Sequence, residues 1–313
     1  MGMNRVWRSV FGLLGLVAAG AGMAGGGAEA LRLQPVNDHV YAVVGPLGNR
    51  SPENLGNNAT FGFVVTEAGV VLIDSGGTRE GAAALHQVVR RVTDKPVAVV
   101  INTGGQDHRW LGNGYFKDRG ARIIAASKAV EDQRARVQDQ FFRLGNLLGE
   151  EALDGTDAVY ADETFEETLR LEVGGVALEL RHVGPAHTPG DSIVWLPEER
   201  VVFAGDVVFV ERMLRVAPHS SSRAWLAAFE AMAALEPETV VPGHGPPSDL
   251  ARARKDTLDY LVFLRESVGR FMDGGGGIAE VGGLDQSRFD YLANADSLAG
   301  RNAQQVFQEM EWE

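Results

Sequence analysis

Apolar residues alternate through Val40-Tyr41-Ala42-Val43-Val44 and again through Phe61-Gly62-Phe63-Val64-Val65, the period of strands with one buried face. The turn-rich stretch from Gly45 to Asn58 separates them, and a third strand, Gly69 to Ile73, runs straight into the loop Asp74-Ser75-Gly76-Gly77. Helical spacing then begins. Over Arg79 to Thr93, Ala83, Leu85, Val88, Val89 and Val92 form one apolar face, and Pro96 to Ile101 reads as a buried strand. Ala121 to Ala126 predicts a short strand, and Ala129 to Leu148 a polar helix. Leu169 to Val183 predicts two strands about Gly174-Gly175, and Ser192 to Leu196 with Arg200 to Phe203 a further pair. A helix over Arg223 to Leu235, a strand over Thr239 to Val241 and a helix over roughly Leu250 to Met272 follow. Two β-rich blocks, each followed by helices, imply an α/β chain in which two sheets pack together with helices outside. Gly274 to Gly277 reads as a joint to a C-terminal tail, residues 274–313.

The N-terminus follows a different logic. Arg5 and Arg8 precede an apolar run from Val10 to Met23, and Ala28-Glu29-Ala30 supplies the small residues of a cleavage site. Residues 1–30 are therefore expected to be an export signal, with the domain beginning at Leu31 and extending to residue 273, in a periplasmic or secreted protein. The formal charge of −13 becomes −14 once that segment, with two Arg and one Glu, is removed. Such a balance disfavours a broad basic face for nucleic acid or anionic lipid, while leaving room for a small-molecule substrate. No membrane contact is expected after cleavage, and the oligomeric state is left open. Cysteine is absent, so disulfides, thiolate metal sites and a Cys nucleophile are excluded.

Potential metal ligands cluster where strands give way to loops. They lie in Asn102-Thr103-Gly104-Gly105-Gln106-Asp107-His108-Arg109, in Gly184-Pro185-Ala186-His187-Thr188-Pro189-Gly190-Asp191, in Phe203-Ala204-Gly205-Asp206 and in Val241-Pro242-Gly243-His244-Gly245. Neutral imidazoles with a carboxylate are the usual donors of a catalytic zinc that keeps a position open for water. His39, His86 and His182 lie in strand or helix contexts and read as surface or core residues. His219, after Pro218, reads as a weak ligand or a pocket residue.

Taken in order, these segments resemble the metallo-β-lactamase superfamily, and in particular its glyoxalase-II-like and quinoprotein-associated branches. Val71 to Gly76 looks like the strand and turn before that family's first ligand loop, and Gly184 to Asp191 like its third-His motif. Phe203 to Asp206 looks like its bridging-Asp motif and Val241 to Gly245 like its final-His motif. Asn302-Ala303-Gln304 with Glu309 is similar to the tail of the quinoprotein-associated branch. The resemblance implies a four-layer αββα sandwich and a zinc-dependent hydrolase, with iron or manganese as alternatives. It departs at the signature His-x-His-x-Asp-His loop. In the gapless register Gly104 and Gln106 stand at the first two His, His108 at the Asp and Arg109 at the last His; a shift by one residue would instead restore an Asp107-His108 half.

On this resemblance the first metal site keeps only His187 and Asp206, with Gln106 a weak amide donor. The second can still draw on Asp107, His108, Asp206 and His244, so one metal per chain is expected. Asp107, if not a ligand, is a candidate general base. Arg109 is either an anchor for a substrate carboxylate or phosphate or a brace for its own loop. Asp74 is expected to brace the first ligand loop by hydrogen bonds. The expected reaction is metal-assisted hydrolysis of a small ester, thioester, lactone or amide. The competing expectation is a non-catalytic, metal-depleted accessory protein of a periplasmic quinoprotein or redox system.

Overall fold

The computed structural model describes Met1 and residues 30–313, so the expected export signal falls almost wholly outside the described residues. Seven strands form one sheet: β1 (Arg32–Pro35), β2 (Val40–Val44), β3 (Thr60–Thr66), β4 (Gly69–Ile73), β5 (Val97–Asn102), β6 (Arg122–Ala126) and β7 (Glu163–Phe165), in sequence order across the sheet. The first four run antiparallel to their neighbours, and β4 to β7 run parallel. The second sheet holds β8 (Thr168–Val173), β9 (Val176–His182), β10 (Ser192–Leu196), β11 (Val201–Phe209) and β12 (Thr239–His244), in the order β12-β11-β10-β9-β8. Only β11 and β12 pair parallel there.

Strand alternation explains the layering. In β4, Val71 and Ile73 face the other sheet, while Val70 and Leu72 pack under the helix α1 (Arg79–Arg90). In β11, Val201 and Phe203 meet the first sheet, and Val202 and Ala204 face the opposite helical layer. Two short helices, α2 (Asp107–Trp110) and α3 (Asn113–Lys117), follow β5, and the long α4 (Ser127–Leu148) follows β6. The outer layer on the second sheet comprises α5 (Ser222–Ala233), α6 (Leu250–Ala253), α7 (Asp259–Asp273) and α8 (Ala295–Met310). The result is a four-layer αββα sandwich.

Hydrophobic periodicity located most elements but stopped β11 too early. The strand continues through Gly205-Asp206 to Phe209, with register shifts against β12 on either side of Gly205. Asp206 thus sits within a bulged strand, where a kink can turn a polar side chain out of the sheet's regular alternation. Among the described residues, no helix is long and apolar enough to cross a membrane.

The C-terminal segment is fastened to the domain. Ala303, Val306 and Phe307 of α8 join the core beneath the second sheet. Asn302, fully buried, accepts from Val216 N at 2.9 Å and donates to Leu214 O at 2.8 Å and to the Tyr260 hydroxyl oxygen at 3.0 Å. Glu309 accepts from Ser222 N at 2.9 Å at the start of α5. Replacing Asn302 by Ala strands two backbone groups in the interior, so a loss of about 2 kcal/mol is expected in urea denaturation. An unchanged midpoint would show that these bonds do not hold the Leu214–Val216 segment.

Candidate metal centre and its cavity

Three polar side chains from three separate elements converge beneath one face of the sandwich. His108 comes from α2, Asp206 from the bulge of β11 and His244 from the end of β12, and all three are buried. One potential ligand atom from each lies within 4.8 Å of the others. His108 Nε2 is 3.3 Å from Asp206 Oδ2, and His244 Nε2 is 3.4 Å from Asp206 Oδ1. The two imidazole nitrogens thus approach different oxygens of one carboxylate, and each of the three side chains can offer one donor of a type zinc accepts.

The ring nitrogens also suit a cation. His244 Nδ1 pairs with Asn58 O at 3.1 Å, which fixes the proton there and leaves Nε2 as the lone-pair atom facing Asp206. Phe209 stacks on the His244 ring at 4.7 Å between centroids and holds its plane. The two ring nitrogens of buried His108 lie 3.3 Å from Asp107 Oδ1 and 3.3 Å from Asp206 Oδ2 without hydrogen-bond geometry to either. Unpaired buried polar atoms are costly, and a bound cation on Nε2 would relieve one of them. Burial, opposed by the nearby Asp206, holds the His244 pKa well below its ordinary value, so its imidazole is neutral and able to donate a lone pair. Burial would raise the Asp206 pKa, but Arg109 and then His108 outweigh it and keep the carboxylate ionised.

Arg109 binds the same carboxylate. Its guanidinium is completely buried, and every N–H is taken within the protein. Nε and Nη2 donate to the two oxygens of Asp206 at 3.1 and 2.6 Å. Nη1 donates to Asp74 Oδ2 at 2.9 Å and Thr60 O at 3.1 Å, and Nη2 also donates to Gly243 O at 2.9 Å. The expectation that Arg109 anchors an anionic substrate is therefore corrected: no donor remains for one. Its fork instead pairs with both oxygens of Asp206. The close fit requires glycine at 243, where a Cβ would stand 2.6 Å from Arg109 Nη2.

Asp74 joins the same network, accepting from Thr103 N at 2.7 Å and from the Thr103 hydroxyl, and so ties the end of β4 to the ligand loop. Burial raises its pKa despite Arg109 alongside. Asp107 points elsewhere. It pairs with Arg50 at 2.5 Å and accepts from His108 N at 2.8 Å and from Gln106 Nε2 at 3.2 Å, so it is not among the converging ligand atoms. Burial opposes its ionisation, but Arg50 and then His108 hold its pKa far below the usual carboxylate range, which makes it a poor proton acceptor. Of the Asp107-His108 pair, only His108 enters the cluster.

His187 lies outside that cluster but opens on the same cavity, of about 450 Å³, as His108, His244, Gln106 and His219. Its Nδ1 pairs with Arg215 O at 3.0 Å, leaving Nε2 as an acceptor. The His219 ring lies 6.0 Å from that of His187, and its Nε2 is buried without a partner. His39, His86 and His182 are engaged away from the cavity, with Glu199, Tyr115 and Pro189 O respectively.

The space beside Gly104 is occupied. A Cβ on Gly104 would stand 2.6 Å from Asp191 Oδ1 and 3.3 Å from the Thr188 hydroxyl. Gln133 and Gln140 of α4 fix the Gly104 and Gly105 carbonyls, at 3.2 and 2.8 Å, so the loop is braced in this form. Burial, reinforced by Asp206, pushes the Asp191 pKa up to about 8. Burial also lowers the pKa of His187 to about 4 and of His219 to about 3.

These opposed shifts predict a stability maximum for the metal-free protein. Between about pH 4 and 6.5 the unfolded chain binds more protons at His187 and His219, so stability falls as pH drops. Between about pH 4 and 8 the folded chain keeps a proton on Asp191 that the unfolded chain releases, so this group alone makes stability fall as pH rises. Thermal denaturation should peak near pH 6.5, and Asp191→Asn should flatten the alkaline side. An alkaline limb unchanged in that variant would rule Asp191 out as its source.

Comparison with known proteins agrees with this fold. The family model described as the metallo-beta-lactamase superfamily matches residues 56–244, more than half of the chain, and the chain belongs to that superfamily. Among curated relatives, a linear primary-alkylsulfatase from Pseudomonas sp. (strain ATCC 19151) is 21% identical over 243 residues, which cover 66% of this chain and 46% of the relative. A metallo-beta-lactamase type 2 from Elizabethkingia meningoseptica is 25% identical over 150 residues, 47% of this chain and 51% of the relative. The chain thus spans about half the length of these relatives. A solved stereoselective inverting sec-alkylsulfatase from Pseudomonas sp. superposes with a TM-score of 0.69 at 19% identity, over 89% of this chain and 50% of that one. At that identity the likeness concerns the fold.

Proposed function

We propose that the protein is an exported, mononuclear metal-dependent hydrolase of small esters, thioesters, lactones or amides, with zinc held by His108, Asp206 and His244. The observation that carries this reading is the buried convergence of two imidazole nitrogens on one carboxylate, with one donor atom from each of the three residues within 4.8 Å of the others. A divalent cation held there supplies Lewis acidity toward a carbonyl or similar oxygen and lowers the pKa of water. The chain's own groups do the rest. Asn58 O and Phe209 orient His244, Arg109 and His108 keep Asp206 ionised, and His187 presents a neutral acceptor nitrogen at the cavity wall. Residues 1–30 would direct export, and the Asn302–Glu309 tail supports placement in the quinoprotein-associated branch.

Metal content by elemental mass spectrometry, on protein beginning at Leu31 and purified without chelators or a His tag, tests the reading. About one metal per chain is expected, lost in both His108→Ala and His244→Ala. Two metals per chain would overturn the mononuclear site. No metal, even after reconstitution with zinc, manganese or iron, would favour the second reading, a metal-free accessory protein. That reading draws its support from Asp191 filling the space beside Gly104, which leaves the site short of a family ligand.

A further inference from the structure

The cavity above the cluster has a charge opposite to that of the chain. In a protein of formal net charge −13, its walls include Arg50, Arg143, Arg212, Arg215 and Arg301 and no Asp or Glu. Two of the five are locally neutralised, Arg50 by Asp107 and Arg143 by Asp139. Among the described residues, Arg212, Arg215 and Arg301 form no ion pair with any carboxylate. Three unpaired guanidiniums around one concavity concentrate positive potential where low-dielectric walls focus it.

Arg212 is also pre-positioned. Its Nη1 donates to the backbone oxygens of Leu47 and Gly48, which carry no charge to cancel its own. The strand end before it is pinned from the π-helical turn Arg254–Leu258: the Thr257 hydroxyl engages both backbone groups of Phe209, and Asp256 accepts from Glu211 N at 2.9 Å. Arg212 lies close enough to His244 and Asp206 to interact with both electrostatically. Burial and Arg50 lower its pKa to about 10, which leaves it charged at neutral pH. Arg215 and Arg301 stand exposed at the mouth, and Leu147, Met213 and Leu298 supply apolar wall between. The cavity therefore offers an inner cation near the cluster and an exposed pair on its rim.

We infer that the substrate is a small organic molecule with at least two negative charges, one held by Arg212 beside the metal cluster and another by Arg215 and Arg301 at the mouth. The inference rests on the hydrolase reading only in calling this ligand a substrate; the anion site itself does not. It narrows that reading, because neutral esters and lactones would leave all three guanidiniums unpaired.

The test is calorimetric binding of benzene-1,3-disulfonate, benzenesulfonate and methyl phenyl sulfone, probes of similar shape whose charge does not change with pH and whose sulfonates bind metals weakly. Binding is measured at low ionic strength, with and without metal, in the wild-type protein, Arg212→Gln and an Arg215→Gln/Arg301→Gln double variant. The disulfonate should bind about tenfold or more tighter than the monosulfonate, and the neutral sulfone weakest. Each variant should lose about tenfold in disulfonate affinity, and added salt should weaken binding. The exposed Arg215 and Arg301 can be replaced without disturbing the core, so their variant remains informative if Arg212→Gln fails to fold. Equal binding of the three probes, or wild-type affinity in a folded double variant, would overturn the inference. Disulfonate binding by protein that takes up no metal would keep the anion site and reject the hydrolase; a metal-loaded protein that does not discriminate among the probes would do the reverse.

Discussion

Replacing Arg109 by Met should destabilise the protein by about 3–5 kcal/mol, the cost of breaking a buried ion network from one side. The side chains are similar in length, so the effect would come from charge and hydrogen bonding more than from lost volume. Without the guanidinium, Asp74 and Asp206 would face each other through the interior with no cation between them, and the Thr60 and Gly243 carbonyls would lose their donors. Urea denaturation of the metal-free protein measures this directly. Arg109→Lys keeps the charge but not the planar fork, and should fall between Met and wild type. If Arg109→Met unfolded at the wild-type midpoint, the guanidinium would have no structural role and the question of an anion anchor would reopen.

Introducing two imidazoles by Gly104→His/Gln106→His, where the gapless register sets the family's first two His, should fail to add a second metal and should cost about 3 kcal/mol through overpacking. The new Cβ at 104 would enter the space of Asp191, itself fixed by bonds from Thr188 N and the Thr188 hydroxyl. Even with that space cleared, Arg109 would still hold one side of Asp206. Metal content should remain near one per chain while the denaturation midpoint falls. Two metals bound at wild-type stability would show that the loop is open to both and that Gly104 alone sets the number.

The contrast between His108 and Asp107 shows how far the sequence could be read. Both are adjacent candidates, and spacing allowed either register of the ligand loop. The short helix α2 turns His108 toward Asp206 and Asp107 toward Arg50, a choice made by partners 98 and 57 residues away in the chain. His187 lay in a clear motif, yet its ring stands outside the three-residue cluster, with Nδ1 on the Arg215 carbonyl. The arginine-lined cavity left no trace in the pattern. Its five arginines are scattered between residues 50 and 301 in a chain rich in acid, so neither local composition nor net charge reports them.

The layered architecture could be derived from the sequence by itself, because the burial of alternate strand residues and of one helix face leaves a local period in the chain. The absence of thiolate chemistry follows from composition, and the Asp206 and His244 segments were legible through their joint resemblance to the family's motifs. Tertiary structure alone decided that Arg109 is a buried brace, that His108 rather than Asp107 joins Asp206 and His244, and that arginines line the cavity. Each of these depends on charges brought together from distant strands and loops, where burial strengthens their mutual interaction and removes the water that would otherwise screen it.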